Sequence, residues 1–171
     1  MTEAQVAPEG QKTYWGTKHQ NKKVRTALRQ MLFDYDAQYM ITVNFNRTTS
    51  FVSARTSLKA LQARVNRKLF GKHWLKLPQE RRTEFIAFAE HPRSNFHYHI
   101  LFRVPTLTRK QTLIFRLFIE PLWQEMIEFG QVHVAKFATN EDRARAVSYV
   151  TKELYKTTHL ENLVVSREFE K

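Results

Sequence analysis

The chain has no cysteine among its 171 residues, which excludes a disulfide framework, a thiolate metal site and a cysteine nucleophile. Such a composition suits a cell interior. No apolar run approaches the roughly 18 residues of a membrane span, and the first residues lack the apolar core of a signal peptide, so no membrane partner is expected. Internal repeats and low-complexity tracts are absent as well. Acidic residues are scarce: 16 Asp and Glu stand against 28 Lys and Arg, a net charge of +12. An excess of this size points to a polyanionic partner, most often nucleic acid, ahead of mere solubility. Hydrophobic content of 42% with 13% aromatics argues against disorder. The length suits one domain with its own core.

Residues 1–20 are polar, contain Pro8, Gly10 and Gly16, and read as a flexible arm. Asn21 to Phe33 reads as a basic helix with Val24, Leu28, Met31 and Leu32 on its apolar side. In Tyr39 to Asn46, Tyr39, Ile41, Val43 and Phe45 alternate with Thr42, Asn44 and Asn46, the pattern of a half-buried strand. Ser53 to Phe70 is helical by its Leu58, Leu61, Val65 and Leu69 spacing, and Gly71 stops it. Glu84 to Glu90 reads as a second strand, turned by Pro92 to Asn95 into a third. Thr108 caps a helix reaching Phe129, with Leu113, Leu117, Leu122 and Met126 as its core side and Pro121 kinking or breaking it. Gln131 to Phe137 is a fourth strand and Glu141 to Lys156 a last helix. The order predicts an α+β fold: a four- to five-stranded antiparallel sheet, built on a ferredoxin- or RRM-like β-α-β-β-α-β core, with helices packed on one face and the other face open.

The third strand carries the most chemistry. With a period of two, Phe96, Tyr98, Ile100, Phe102 and Val104 form an apolar stripe, while His97, His99, Leu101 and Arg103 face the other way. Two imidazoles then share one open space, about 7 Å apart along the strand and within reach of one metal ion. A His-x-His pair alone arises by chance too readily to stand by itself, but the hairpin returns the chain so that Glu90 lies beside it. Glu90 shares its strand parity with Ile86 and Phe88, which would be exposed on the open face unless bound DNA covers them. Taken in isolation, Glu90 reads as a solvated strand-end carboxylate. His91 points away from Glu90 by parity and is left out. Two nitrogens and a carboxylate without sulfur favour Mn²⁺ or Mg²⁺, whose open positions accept phosphate oxygens and water. A structural zinc would want a fourth ligand.

On the last helix, Val147, Val150 and Leu154 share one face, and Arg145, Tyr149, Lys152 and Lys156 gather opposite. Tyr149 and Lys152 stand one turn apart. A phenol is almost wholly protonated at neutral pH; a nearby cation and a metal-bound phosphate help it act as a nucleophile. By itself Tyr149 reads as a surface phenol on a basic face. Beside a metal site in a polyanion-binding chain, the nucleophile reading prevails.

Three motifs taken together resemble the HUH endonuclease superfamily, in particular its rolling-circle replication initiators (Rep proteins). Met40-Ile41-Thr42-Val43-Asn44-Phe45 resembles the first and least specific motif, His97-Tyr98-His99 the metal-binding His-hydrophobe-His motif with Glu90 at the usual place of a third ligand, and Tyr149-Val150-Thr151-Lys152 the Tyr-x-x-Lys nucleophile motif. Order and spacing span residues 39–156. The resemblance implies nicking and joining of single-stranded DNA at an origin or hairpin: Tyr149 attacks a backbone phosphate held by metal on Glu90, His97 and His99, and leaves a 5′-phosphotyrosyl link and a free 3′-hydroxyl. Lys152 orients the phosphate. Thr42, Asn44, Asn46, Arg103, Arg145 and Lys156 are the expected DNA contacts. The implied domains are an arm and helix over 1–34, the endonuclease over 35–160 and a tail over 161–171.

The histidines precede the tyrosine, unlike the usual order in relaxases, and Glu153 stands where small single-tyrosine transposases typically carry Gln. Tyr155 lies off the Tyr149 face, so one nucleophile is expected. The chain has four glycines and no G-x-x-x-x-G-K-[ST] motif; it reads as a stand-alone nickase domain or a fragment of something longer, with a host helicase as an implied further partner. Localisation would be cytoplasmic for a bacterial, plasmid or phage protein and nuclear for a virus of eukaryotes. The competing reading is a non-catalytic RRM-like module that binds single-stranded nucleic acid, and a transposase- or relaxase-type HUH nuclease is the nearer alternative.

Overall fold

The computed structural model describes residues 18–91, 94–152 and 163–169. In chain order these form α1 (Lys18–Asp34), β1 (Tyr39–Asn44), α2 (Phe51–Phe70), β2 (Glu84–Glu90), β3 (His97–Arg103), α3 (Arg109–Met126), β4 (Gln131–Lys136), α4 (Asn140–Val150) and β5 (Leu163–Val165). The strands make one five-stranded sheet in the order β4-β1-β3-β2-β5, with every pairing antiparallel. β2 and β3 form a hairpin. The α2 connection carries the chain from β1 past β3 to β2, and the α3 connection carries it from β3 past β1 to β4. This is the split arrangement expected for a β-α-β-β-α-β core.

Strand alternation sorts the two faces. Tyr39, Ile41 and Val43 of β1, Phe85, Ala87 and Ala89 of β2, and Tyr98, Ile100 and Phe102 of β3 are buried together against Leu58, Leu61 and Val65 of α2 and Phe115, Ile119 and Trp123 of α3. Local signals fix those helices. Ser50 accepts the Ser53 N–H at the start of α2, and Gly71, at φ 85, gives its N–H to the Arg67 carbonyl at the end. Thr108 and Gln111 form a reciprocal capping box on α3. The helix passes through Pro121 without ending there, its packing on either side secured by buried Ile119 and Trp123. Leu113 and Leu117, expected in the core, are 57% and 66% exposed. α3 also stops at Met126, short of Phe129.

The second face is not bare. Leu32 of α1 and Ala146, Val147 and Val150 of α4 bury Ile86, Phe88 and Leu101 there, with Leu28, Met40 and Leu163 packed around them. Helices therefore lie on both faces, α2 and α3 on one and α1 and α4 on the other. The physical reason is the cost of leaving Ile86, Phe88 and Leu101 in water, about 1.5–3 kcal/mol for each side chain. The cover expected from bound DNA comes from the chain's own helices. By the same packing, α1 belongs to the same body as the sheet, and the helix starts three residues before Asn21. Residues 1–17 of the expected arm lie outside the described residues.

Part of the expected tail also joins the sheet. β5 pairs Val165 with Ile86, Val164 with Ala87 and Leu163 with Phe88. Ser166 Oγ accepts the Phe85 N–H at 2.9 Å, and Arg167 Nε reaches Glu84 at 3.0 Å. α4 ends at Val150, capped by Thr151, well before the expected Lys156; Leu154, Tyr155 and Lys156 lie outside the described residues.

Candidate metal centre and nucleophile

Register assembles the centre. β2 and β3 set Glu90 opposite His97 and Phe88 opposite His99. β1 sets Asn44 opposite His97 and Thr42 opposite His99. All of these polar side chains share the second face. Glu90 Oε2 lies 3.5 Å from His97 Nε2 and 3.4 Å from His99 Nε2, and the three ligand atoms are within 4.8 Å of one another. Glu90 and His99 are buried.

The hydrogen bonds decide which atoms face inward. A carbonyl oxygen can only accept, so His97 Nδ1, 2.8 Å from the Asn95 carbonyl, carries the proton and leaves its Nε2 lone pair for the centre. His99 Nδ1 lies 2.9 Å from Thr42 Oγ1, again with Nε2 turned toward Glu90. Among the described residues, Glu90 Oε1 and His99 Nε2 are buried without a hydrogen-bond partner. A buried polar atom left so costs about 1–3 kcal/mol, more when charged. The Glu90 carboxylate and the His97 lone pair converge on one point, and a His99 Nε2 lone pair joins them there when Thr42 accepts the Nδ1 proton; the three repel one another unless a cation stands between them. The group fits a divalent cation on those grounds. Burial pushes the His99 imidazole below its ordinary 6.5, against the opposing pull of Glu90, which keeps the ring neutral and able to ligate at neutral pH.

Tyr149, on the last turn of α4, is 41% exposed and meets His99 edge to face, with ring centroids 4.9 Å apart and planes at 86°. Lys152 Nζ lies 3.8 Å from the centre of the Tyr149 ring. The two come together differently from the expected continuous helical face. Lys152 sits just past the helix end, in a turn closed by its own N–H donating to the Tyr149 carbonyl at 3.1 Å.

The remaining expected contacts scatter. Arg145 stands one turn before Tyr149, exposed and paired with Asp142 of its own helix. Asn44 Oδ1 accepts the Asn46 N–H at 2.8 Å, and Asn46, beyond the end of β1, gives its amide to the Phe129 carbonyl at 2.9 Å. Arg103 is not brought to the centre. It lies at the other end of β3, about 20 Å from His97 by strand rise, paired with buried Glu84 and set over the Tyr35 ring. Lys156 falls outside the described residues. His91 departs from the parity argument because β2 ends at Glu90; with φ 49 it swings its ring to 5.6 Å from that of His97.

Thr42, expected as a DNA contact, bonds His99, a role its place in the sequence did not reveal. The signal was the β1–β3 register, a pairing between residues 57 positions apart. The Asn95 carbonyl carried no side-chain signal at all. No family model, no curated protein and no solved structure matches this chain.

Proposed function

We propose that the chain is a metal-dependent single-stranded DNA nickase and strand transferase of the HUH type, with Tyr149 as its nucleophile and initiation of rolling-circle replication as its process. The observation that carries this reading is the contact of Tyr149 with His99, because it puts a phenol next to a convergent set of cation ligands. The net charge of +12 supplies the attraction for a polyanion. Glu90, His97 and His99 would hold Mn²⁺ or Mg²⁺, a choice that follows from a nitrogen and oxygen donor set without sulfur. When bound, the ion polarises a phosphate oxygen as a Lewis acid.

Tyr149 Oη attacks the phosphorus of a backbone phosphodiester. The new bond joins phosphorus to the tyrosine oxygen while the bond from phosphorus to the 3′-oxygen breaks; the phenol gives up its proton and the departing 3′-oxygen gains one. The products are a 5′-phosphotyrosyl diester and a free 3′-hydroxyl. Lys152, against the Tyr149 ring, offsets the charge that builds on the phosphate. The diester link retains the bond, so a second 3′-hydroxyl strand reverses the step and rejoins DNA without a nucleoside triphosphate.

An RRM-like binder would stack bases on aromatic side chains of a bare sheet face. Here Phe96 and Tyr98 are buried in the α2–α3 core, and the other face carries α1 and α4, which favours the enzyme reading. The test is incubation with a pool of labelled single-stranded oligonucleotides, with Mn²⁺ or with chelator, followed by a denaturing gel. A labelled band at protein mass that needs Mn²⁺ is expected; its absence across metals and oligonucleotides would favour the binding module.

A further inference from the structure

α1 reaches across to the end of α4 through one side chain. Arg29 Nε donates to Thr151 Oγ1 at 3.2 Å, and an Nη of the same guanidinium donates to Ser148 Oγ at 3.1 Å. Ser148 and Thr151 are the residues immediately before Tyr149 and Lys152. A single planar group therefore spans the turn that carries both members of the proposed nucleophile pair.

The Thr151 hydroxyl is suited to this role. It is fully buried and spends its own proton on the Val147 carbonyl at 2.8 Å, which leaves its lone pairs to accept from Arg29. α4 ends at Val150 with Thr151 as its cap, so the guanidinium also stands at the negative end of the helix dipole. Below it, Leu28 and Leu32 of α1 pack with Val147 and Val150 of α4. The apolar contact sets the two helices side by side, and the Arg29 fork fixes the last turn of α4, the part of a helix most prone to fray. A lysine at position 29 has no planar fork to span two hydroxyls three residues apart.

We propose that Arg29 is a positioning residue: by tying Ser148 and Thr151 to α1, it holds the Tyr149–Lys152 turn against His99 without touching DNA. Its consequence for rate rests on Tyr149 being the nucleophile; its consequence for geometry does not. Misplacing a reacting group by about 1 Å costs on the order of 100-fold in rate, which sets the size of effect to look for.

The test compares wild type with Arg29→Ala, Arg29→Lys, Thr151→Val and Thr151→Ser. The first readout is the nuclear Overhauser effect between the Tyr149 and His99 ring protons in the full chain, with dispersion of the remaining resonances as the check of folding. The effect should weaken in Arg29→Ala and in Thr151→Val, recover in Thr151→Ser and be intermediate in Arg29→Lys. An undiminished effect in folded Arg29→Ala or Thr151→Val overturns the proposal whether or not the chain cuts DNA. The second readout is adduct formation at saturating DNA. It should fall roughly 10- to 100-fold in Arg29→Ala, with DNA affinity unchanged and no additional loss in the Arg29→Ala, Thr151→Val double variant. If Arg29→Ala instead weakens DNA binding and lowers the salt slope by about one phosphate, Arg29 is a backbone contact and the positioning role is overturned. A wild-type chain that forms no adduct refutes the nuclease reading alone; the ring-to-ring readout still decides the role of Arg29.

Discussion

Tyr149 and His99 stand edge to face with their ring centres 4.9 Å apart, although 50 positions of chain separate them. α4 brings the phenol and β3 brings the imidazole, and the same imidazole points its Nε2 at Glu90, 3.4 Å from Oε2. One residue thus links the cation ligands to the candidate nucleophile.

Divalent metal should stabilise the fold. The three ligand atoms already lie together, with Glu90 and His99 buried and His97 half-buried, so Mn²⁺ held there should bind the folded chain far better than the unfolded one. At about 100 times its Kd the ion should add about 2.7 kcal/mol to unfolding, seen as a rise in Tm that a chelator reverses. The His97→Ala, His99→Ala double variant should show no rise. An equal rise in that variant would place the ion elsewhere.

Thr42 should matter through His99. Its hydroxyl, 2.9 Å from His99 Nδ1, holds the ring with Nε2 toward Glu90. Thr42→Val keeps the shape and removes that partner; Mn²⁺ affinity measured by calorimetry should fall about 10- to 100-fold. Thr42→Ser should restore it. Unchanged affinity in Thr42→Val would show that the ring needs no such support.

The metal-free chain should weaken in mild acid through His99. Burial holds its pKa below the ordinary 6.5. Above 6.5 the ring is neutral in both folded and unfolded chains and contributes no difference. As pH falls below 6.5, the unfolded chain takes up the proton first, and stability is lost until the folded pKa is passed. A histidine titration by NMR should give His99 a midpoint under 6.5, and Glu90→Gln should lower it further, since that carboxylate pulls the other way. A midpoint at or above the ordinary value would contradict the burial argument.

Exposed leucines of α3 should be dispensable. Leu113→Ala and Leu117→Ala should change unfolding free energy by no more than about 0.5 kcal/mol. Phe115→Ala, at a fully buried position, should cost about 3–5 kcal/mol. Urea denaturation of the three variants checks this ordering, and a comparable loss in Leu113→Ala would mean that the leucine face is covered.

These contrasts show where the sequence was legible. Period-two alternation in β1 and β3 named the buried stripe and both histidines, because a strand gives each side chain one of two directions. α3 was misread although its signal was present: Leu113 and Leu117 have the same spacing as Phe115, Ile119 and Trp123, but on a helical wheel they fall among Arg116, Glu120 and Gln124. The apolar arc centres on Phe115, Ile119 and Trp123, the side that packs on the sheet. β5 has three residues, too few for a periodic signal, and it pairs with β2 across more than 70 positions. Ile86 and Phe88 on the second face did announce that something must cover them. That α1 and α4 do so depends on packing between distant segments. The Tyr149–Lys152 pairing was legible as spacing, but the apolar pattern of Val147, Val150 and Leu154 suggested a longer helix than α4, which stops at Val150.

Under the proposed function, the oxygen of Tyr149 carries the cut strand. The most direct measurement is peptide mapping by mass spectrometry of the adduct formed with a cleavable single-stranded oligonucleotide and Mn²⁺, on wild type and on Tyr149→Phe. A nucleotide 5′-phosphate is expected on the Tyr149 peptide of wild type, with a free 3′-hydroxyl on the released strand and no adduct in Tyr149→Phe, which should fold and bind DNA as before because the ring remains and only the attacking oxygen is gone. A nucleotide on any other residue, or an adduct that persists in Tyr149→Phe, would contradict that function.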